Sequence, residues 1–165
     1  MIAFKITQQK NFMARLLTTD IFDKFLLEEA VIDTFSTFSI NGRLHKDFYK
    51  GQEESDPIPD QEFVSWEKIR PIALNLIKGK QTPLGFKFIL HLGDEEKLRL
   101  LSDADMNISP DQIQLGINIR YANGEVVITT GVSYSIFTLD KSAEKAWDEY
   151  IPSFLESNDI AVDYP

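Results

Sequence analysis

The clearest strand pattern of the chain lies in Ile113–Val132, IQLGINIRYANGEVVITTGV. Its first half alternates apolar and mostly polar side chains, which is typical of a strand with one buried face. Asn123-Gly124 follows, and this pair favours the tight turn of a hairpin because both residues accept positive φ. Glu125–Thr130 then predicts the returning strand, so the sequence indicates an antiparallel hairpin here.

The first half of the chain shows the same pattern of a strand, a tight turn and a returning strand. Phe25–Ile40 is rich in Phe, Val, Ile and Thr, which favour extended backbone over helix. Asn41-Gly42 predicts a second hairpin turn, after which Arg43–Tyr49 returns as the partner strand. Each half of the chain therefore contains one predicted hairpin.

A short strand and a helix precede each hairpin, and a longer helix follows it. The short strands are predicted at Ala3–Ile6 and Phe86–Leu90, each followed by leucines at helical spacing. The longer helices open at Ser65 and Ser142, and the second of them is cleanly amphipathic. Each longer helix also contains a proline, which predicts a kink or a restart there.

The order of elements is thus β-α-β-β-α, twice. It predicts an α+β fold of one domain, in which two similar halves, 1–80 and 81–157, share one antiparallel sheet about a pseudo-twofold axis. We expect the helices on one face, where their apolar stripes find a partner, and the other face open. Residues 158–165 are polar and acidic, which predicts a flexible tail. The layout resembles the saddle of the TATA-box-binding protein and, more distantly, one domain of a sliding clamp, likenesses that carry no function by themselves.

Composition and charge exclude several classes of site. The chain has 165 residues and no cysteine, so it has no disulfide, thiolate nucleophile or cysteine-ligated metal. Seventeen Lys and Arg against 26 Asp and Glu give a net charge of −9, which disfavours attraction to nucleic acid or an anionic membrane. The N-terminus lacks the pattern of a signal peptide and no apolar run is long enough to span a bilayer, so we expect a cytoplasmic protein.

Two sets of residues are candidates for binding. Between Ser65 and His91 the chain holds five basic residues and a single acid, Glu67. These five are the candidates for binding an anion or an acidic partner: Lys68, Arg70, Lys78, Lys80 and Lys87. The other interpretation of this basic stretch is a solvated helix face and its loop. The open sheet face supplies the second set, Thr37, Arg120 and Thr129.

No motif assigns catalysis, a metal or a cofactor. Lys78–Thr82 is reminiscent of a phosphate-binding loop, but it follows a helix and lacks the upstream glycine that such a loop needs. The two histidines, His45 and His91, have no companion at metal-ligand spacing. Ser109 precedes a proline and predicts a helix cap, since no nucleophile elbow surrounds it.

Several stretches resemble an uncharacterised family of small acidic bacterial proteins, a domain of unknown function. The resemblance spans nearly the whole chain and lies in Thr34–Ile40, Leu76–Leu84, Thr129–Ser133, Phe137–Ser142 and Ala146–Glu149. The resemblance implies no activity, so it transfers no catalytic or binding residues.

The sequence therefore favours a non-enzymatic binding or interaction module that uses the open sheet face. A protein partner or self-association fits the acidity best, and an acidic surface that mimics nucleic acid is a sharper variant. One alternative is a nucleic-acid-binding saddle that uses the basic stretch 68–87. Another alternative is a small-molecule enzyme with a pocket between sheet and helices.

Overall fold

The computed structural model describes residues 1–51 and 58–164. Within them the chain forms eight strands and four α-helices, with short 3-10 helices at Lys46–Tyr49 and Pro110–Gln112. The strands are β1 (Ala3–Ile6), β2 (Phe25–Asp33), β3 (Thr37–Asn41), β4 (Val64–Ser65), β5 (Gly85–Leu92), β6 (Ile113–Ala122), β7 (Glu125–Tyr134) and β8 (Val162–Asp163). The helices are α1 (Gln9–Thr18), α2 (Trp66–Ile77), α3 (Asp94–Asp103) and α4 (Ser142–Ser157).

The strands form a single antiparallel sheet in the order β3-β2-β5-β6-β7-β1-β8, with β4 also beside β2. The hairpin of β6 and β7 turns at Asn123-Gly124, and both turn residues have positive φ, as the sequence predicts. The prediction of an α+β fold with one antiparallel sheet is confirmed.

The core lies between one face of the sheet and the helices. Every second residue of the central strands is buried, and the buried residues of all the helices join the same hydrophobic cluster. Two tryptophans anchor the helices: Trp66 on α2 and Trp147 on α4 are fully buried. Their ring N–H groups donate to the backbone carbonyls of Leu16 at 3.0 Å and Gly116 at 2.8 Å. The buried ring nitrogens are thereby satisfied.

The predicted order of elements is present, but its two copies use different strand partners. The described elements run β-α-β-β-α from β1 to α2, apart from the short β4, and again from β5 to α4. In the sheet, β5 lies between β2 and β6, whereas β1 lies between β7 and β8. The two hairpins are therefore separated by β5 and do not join directly.

The turn of the first hairpin lies earlier than the sequence predicts. The chain reverses at residues 34–36, so that Asp33 lies opposite Thr37, and the prediction of a turn at Asn41-Gly42 is wrong. Gly42 meets a different requirement, because a Cβ at this position would overlap the carbonyl oxygen of Leu27. The glycine permits close approach of two backbones, a need that the sequence does not distinguish from a turn.

The end of the chain joins the sheet instead of forming a separate tail. Val162 pairs with Ile6 in β8, and Ile160 is buried. The ring of Tyr164 packs edge-on against Phe4 at a centroid distance of 5.2 Å, while Pro165 lies outside the described residues. None of the described helices combines the length and the apolar character needed to cross a bilayer.

Candidate functional site

The candidate site is the face of the sheet that points away from the core, here called the open face. It is formed by every second residue of the strands, and most of these residues are half-buried. Two rows cross it from β2 to β7: Val31, Lys87, Arg120 and Val127, and beside them Glu29, Ile89, Asn118 and Thr129. The buried apolar residues of the helices all belong to the cluster on the opposite side.

Arg120 and Lys87 form a cationic pair at the centre of the open face. They lie directly opposite each other on β6 and β5, where like charges destabilise a sheet. Nζ of Lys87 lies 3.5 Å from a carboxylate oxygen of Glu29. Arg120 is exposed and makes no ion pair with any residue that the structure describes. Its guanidinium is therefore available to a carboxylate or another anion.

Both residues line an open cavity of about 630 Å³. It extends from Arg120 and Lys87 to the tip of the β2–β3 hairpin, where Thr37 lines it. The hydroxyl of Thr37 donates to the carboxylate of Asp33 at 2.6 Å. The fold thus brings together one residue of the predicted basic stretch and two of the predicted sheet-face residues.

Thr129, the third predicted sheet-face residue, lines a second cavity of about 370 Å³. Gly116 and Gly131 lie opposite each other and leave a depression there, since neither has a side chain. Two polar atoms at this depression, Oδ1 of Asn118 and Nδ1 of His91, are buried without a hydrogen-bond partner among the described residues. Most buried polar atoms in proteins do have a partner, so this pair marks an unusual spot on the open face.

His91 occupies one corner of the open face. Its Nε2 lies 2.9 Å from Oε2 of Glu28, and its ring stacks on Phe63 at a centroid distance of 5.4 Å. A bulge between Leu27 and Glu29 accommodates Glu28 as the extra residue of β2. A carboxylate and an imidazole can act in general base catalysis, yet no described hydroxyl bonds to the free Nδ1. Within the described residues, this corner lacks a nucleophile for the imidazole to activate.

Arg70, a member of the predicted basic stretch, is engaged inside the fold. Its Nε and Nη2 donate to the two carboxylate oxygens of Asp23 at 2.9 and 2.7 Å. The two side chains are only 19% and 18% exposed. The hydrogen bond to Asp23 raises the pKa of Arg70 above its usual value, with burial acting in the opposite direction. This guanidinium is a structural partner of Asp23 and leaves little surface for a ligand.

The other four members of the basic stretch lie on three different surfaces. Nζ of Lys68 lies 3.4 Å from the hydroxyl of Tyr49 near the start of α2. Lys78 and Lys80 are exposed and line a cavity of about 850 Å³ between the end of α2 and the β2–β3 hairpin. Lys87 belongs to the open face. The basic residues therefore do not form one patch.

Nothing in the sequence places Lys87 opposite Arg120, and this register is what makes the pair a candidate site. The alternation of Ile113–Tyr121 does assign Asn118 and Arg120 to the polar face of β6. The partner strand, β5, comes from across an intervening helix and loop, so only the tertiary structure identifies it. His91 is visible in the sequence as a lone histidine, but its contacts with Glu28 and Phe63 are not.

A metal centre would need several converging ligands. Within residues 1–51 and 58–164, no three His, Asp or Glu side chains converge in that way. This face offers a guanidinium, an ammonium group, an imidazole, hydroxyls, an amide and the carboxylates of Glu28, Glu29 and Asp33, which bind through charge and hydrogen bonds.

Comparison with known proteins identifies the family of the chain, but no individual relative. No curated protein and no solved structure matches it. The model of a family of unknown function, DUF5721, matches residues 15–163, a range that extends from α1 to β8. This confirms the resemblance to an uncharacterised family that the sequence indicated. The chain belongs to DUF5721, a family of unknown function.

Proposed function

We propose that this protein is a non-enzymatic binding module that docks a partner protein on the open face of its sheet. The observation that carries the proposal is the exposed guanidinium of Arg120, which has no ion pair among the described residues and lies opposite Lys87. Two adjacent cations on a sheet are unfavourable by themselves, and a bound anion would relieve their repulsion. Glu29 already faces Lys87, so it is the guanidinium of Arg120 that is complementary to a negatively charged group.

The group that fits this pair is a carboxylate on a segment of the partner. A guanidinium binds a carboxylate through two parallel hydrogen bonds, and the neighbouring ammonium group of Lys87 adds a second charge. Around them Val31 and Val127 supply apolar contact area, as the centre of a protein interface requires. The mixture of apolar and charged side chains favours a protein surface over a polyanion.

The experiment compares three forms of the tagged protein as bait in a lysate of its host organism. The wild type is set beside Arg120→Glu/Lys87→Glu and beside a control, Lys141→Glu/Lys145→Glu, which makes the same change of charge on exposed residues near the start of α4. We expect proteins that the wild type and the control retain equally, and that the open-face variant retains about tenfold less. Equal retention by all three forms would contradict the proposal.

Two further measurements keep the result interpretable. Thermal unfolding of each form shows whether the substitutions leave the fold intact, because Lys87 is half-buried beside Glu29 while Arg120, Lys141 and Lys145 are exposed. Light scattering across a range of concentrations shows whether the retained partner is a second copy of this chain. Self-association that Arg120→Glu/Lys87→Glu abolishes would keep the open face as the interface and make the partner the protein itself.

We also propose that the two halves descend from one duplicated β-α-β-β-α unit, which would make the open sheet a saddle like that of the TATA-box-binding protein. The repeated order of elements supports this origin. The different neighbours of β1 and β5 require that the sheet was re-paired after duplication. This origin bears on ancestry alone, because a fold does not determine what the open face binds.

A further inference from the structure

The two edges of the sheet are built differently. At one edge, β8 has two residues, one of them Asp163, and short charged edges resist pairing with other chains. At the other edge, β3 has the sequence TFSIN, with no charged residue and no proline. β3 bonds to β2, and no other described residue forms a backbone hydrogen bond with it. This edge lacks the protection that natural edge strands carry.

Apolar side chains surround the unprotected edge. Phe38 lies opposite Ile32, which is fully buried, and therefore points to the helix side of the sheet. Its ring packs edge-on against Phe35 at a centroid distance of 5.5 Å, and Phe35 is 93% exposed. Leu84 is 77% exposed at the same end of the sheet. Large apolar groups grouped in this way mark a contact surface more often than isolated ones do.

The cavity of about 850 Å³ lies alongside this edge, and its charge is opposite to that of the chain. Leu76 and Ile77, at the end of α2, line it together with Phe38. Lys78 and Lys80 line it as well, and no acidic residue among those that the structure describes does, although the whole chain carries a net charge of −9. Screening limits the reach of charges to about 8 Å at physiological salt, so a ligand in the cavity responds mainly to the two lysines.

We propose that β3 accepts an extended acidic segment of a partner protein as an additional strand of the sheet. Backbone hydrogen bonds to the free edge would supply affinity, and alternate side chains would supply specificity. On the helix side the segment would place apolar side chains against Phe35, Phe38 and Leu84, with carboxylates meeting Lys78 and Lys80. This surface is separate from the open face, so the inference goes beyond the proposed function.

A second copy of the chain fits this edge less well. β3 contains no acidic residue, so two copies paired through β3 would bring none of their strand carboxylates to Lys78 and Lys80. An acidic segment of another protein supplies what the cavity lacks.

The test uses a blocked synthetic valine–glutamate octapeptide, Val-Thr-Glu-Thr-Val-Thr-Glu-Thr, titrated into the full isotope-labelled chain by NMR. Because side chains alternate between the two faces of a strand, its valines and glutamates all lie on one face and can meet the helix side together. We expect chemical-shift changes of the backbone amides of residues 34–41 and 76–84. A peptide with lysine in place of glutamate should bind about tenfold more weakly, because it meets Lys78 and Lys80 with like charge. The valine–glutamate peptide methylated on the amide nitrogens that face β3 should also lose about tenfold in affinity, since it cannot donate to the edge.

Variants separate this edge from the open face. Lys78→Glu/Lys80→Glu should weaken binding of the valine–glutamate peptide about tenfold, while Arg120→Glu/Lys87→Glu and the control Lys141→Glu/Lys145→Glu should stay within about twofold. Thermal unfolding confirms that each variant folds. Three results would overturn the inference: no shifts with the peptide at millimolar concentration, shifts confined to the open face, or affinity unchanged by methylation. Peptide binding lost only in the open-face variant would support the proposed function and refute the role of β3.

Discussion

Arg70 and Asp23 connect α2 to the turn before β2 through two short hydrogen bonds between mostly buried side chains. Replacing Asp23 with asparagine removes the charge that Arg70 faces and one acceptor oxygen. We expect a loss of about 1–3 kcal/mol in the free energy of unfolding, measured by urea denaturation. Lys68→Gln on the same helix is the control and should stay within about 0.5 kcal/mol. Equal effects of the two changes would show that the Asp23 pair is not structural.

Gly42 shows how a single atom can decide a backbone path. A methyl group at this position would overlap the carbonyl oxygen of Leu27, so Gly42→Ala forces two backbone segments apart. We expect a loss of about 1–3 kcal/mol in the free energy of unfolding. Gly131→Ala is the matched control, because a Cβ on Gly131 meets nothing within 4 Å. A neutral Gly42→Ala would mean that the two segments part easily.

Tyr134 gives the protein a pH dependence at the alkaline end. Burial, and to a smaller extent the charges of Glu144 and Asp140, raise the pKa of Tyr134 above its ordinary value of 10.0. The unfolded chain therefore releases this proton first as the pH rises through about 10, and stability falls there. Tyr134→Phe should remove this fall. The gap between the unfolding midpoints of the variant and the wild type should therefore shift in favour of the variant above pH 10. A gap that stays constant from pH 7 to 11 would contradict the prediction.

At the scale of elements, Trp147 is the largest of the buried side chains that hold α4 on the sheet. Trp147 is fully buried, stacks with Tyr150 at 5.4 Å and donates to the carbonyl of Gly116. Trp147→Ala should cost about 3–5 kcal/mol in the free energy of unfolding, because it leaves a cavity and an unsatisfied carbonyl. Glu149→Ala, an exposed change on the same helix, is the control. A cost below about 1 kcal/mol for Trp147→Ala would show that α4 is not docked in this way.

The spacing of apolar residues predicts the helices and strands well where the predicted apolar face packs against the core. The apolar spacing of α4 and the alternation of β6 both survive in the structure because each apolar stripe meets the core. The restart predicted at Pro71 and at Pro152 does not occur, since α2 and α4 each run through their proline as one continuous helix. Burial of the apolar face on both sides of the proline outweighs the loss of one backbone hydrogen bond.

The charge of the whole molecule leads to a prediction about nucleic acid. A net charge of −9 repels a duplex at long range, and the basic residues of 68–87 are divided among separate surfaces. We therefore expect no gel shift with duplex DNA at about 150 mM salt. A tight complex that weakens steeply with salt would contradict this prediction and support the alternative of a nucleic-acid-binding saddle.

The features of this protein that depend on neighbours along the chain can be predicted from its sequence. Periodicity of two and of 3.6 residues identifies strands and helices, and Asn123-Gly124 sets the register of β6 against β7 because only two residues separate the strands. The polar side of this hairpin, which carries Arg120 on β6 and Thr129 on β7, follows from the same local register.

Which distant strands pair is visible only in the tertiary structure. The pairing of β5 with β6 puts Lys87 beside Arg120, and the pairing of β8 with β1 draws the end of the chain into the sheet. The unprotected edge at β3 likewise exists because β2 takes β5 as its other neighbour. These choices depend on how all the apolar faces pack at once, a property of the whole core that no short stretch of sequence contains.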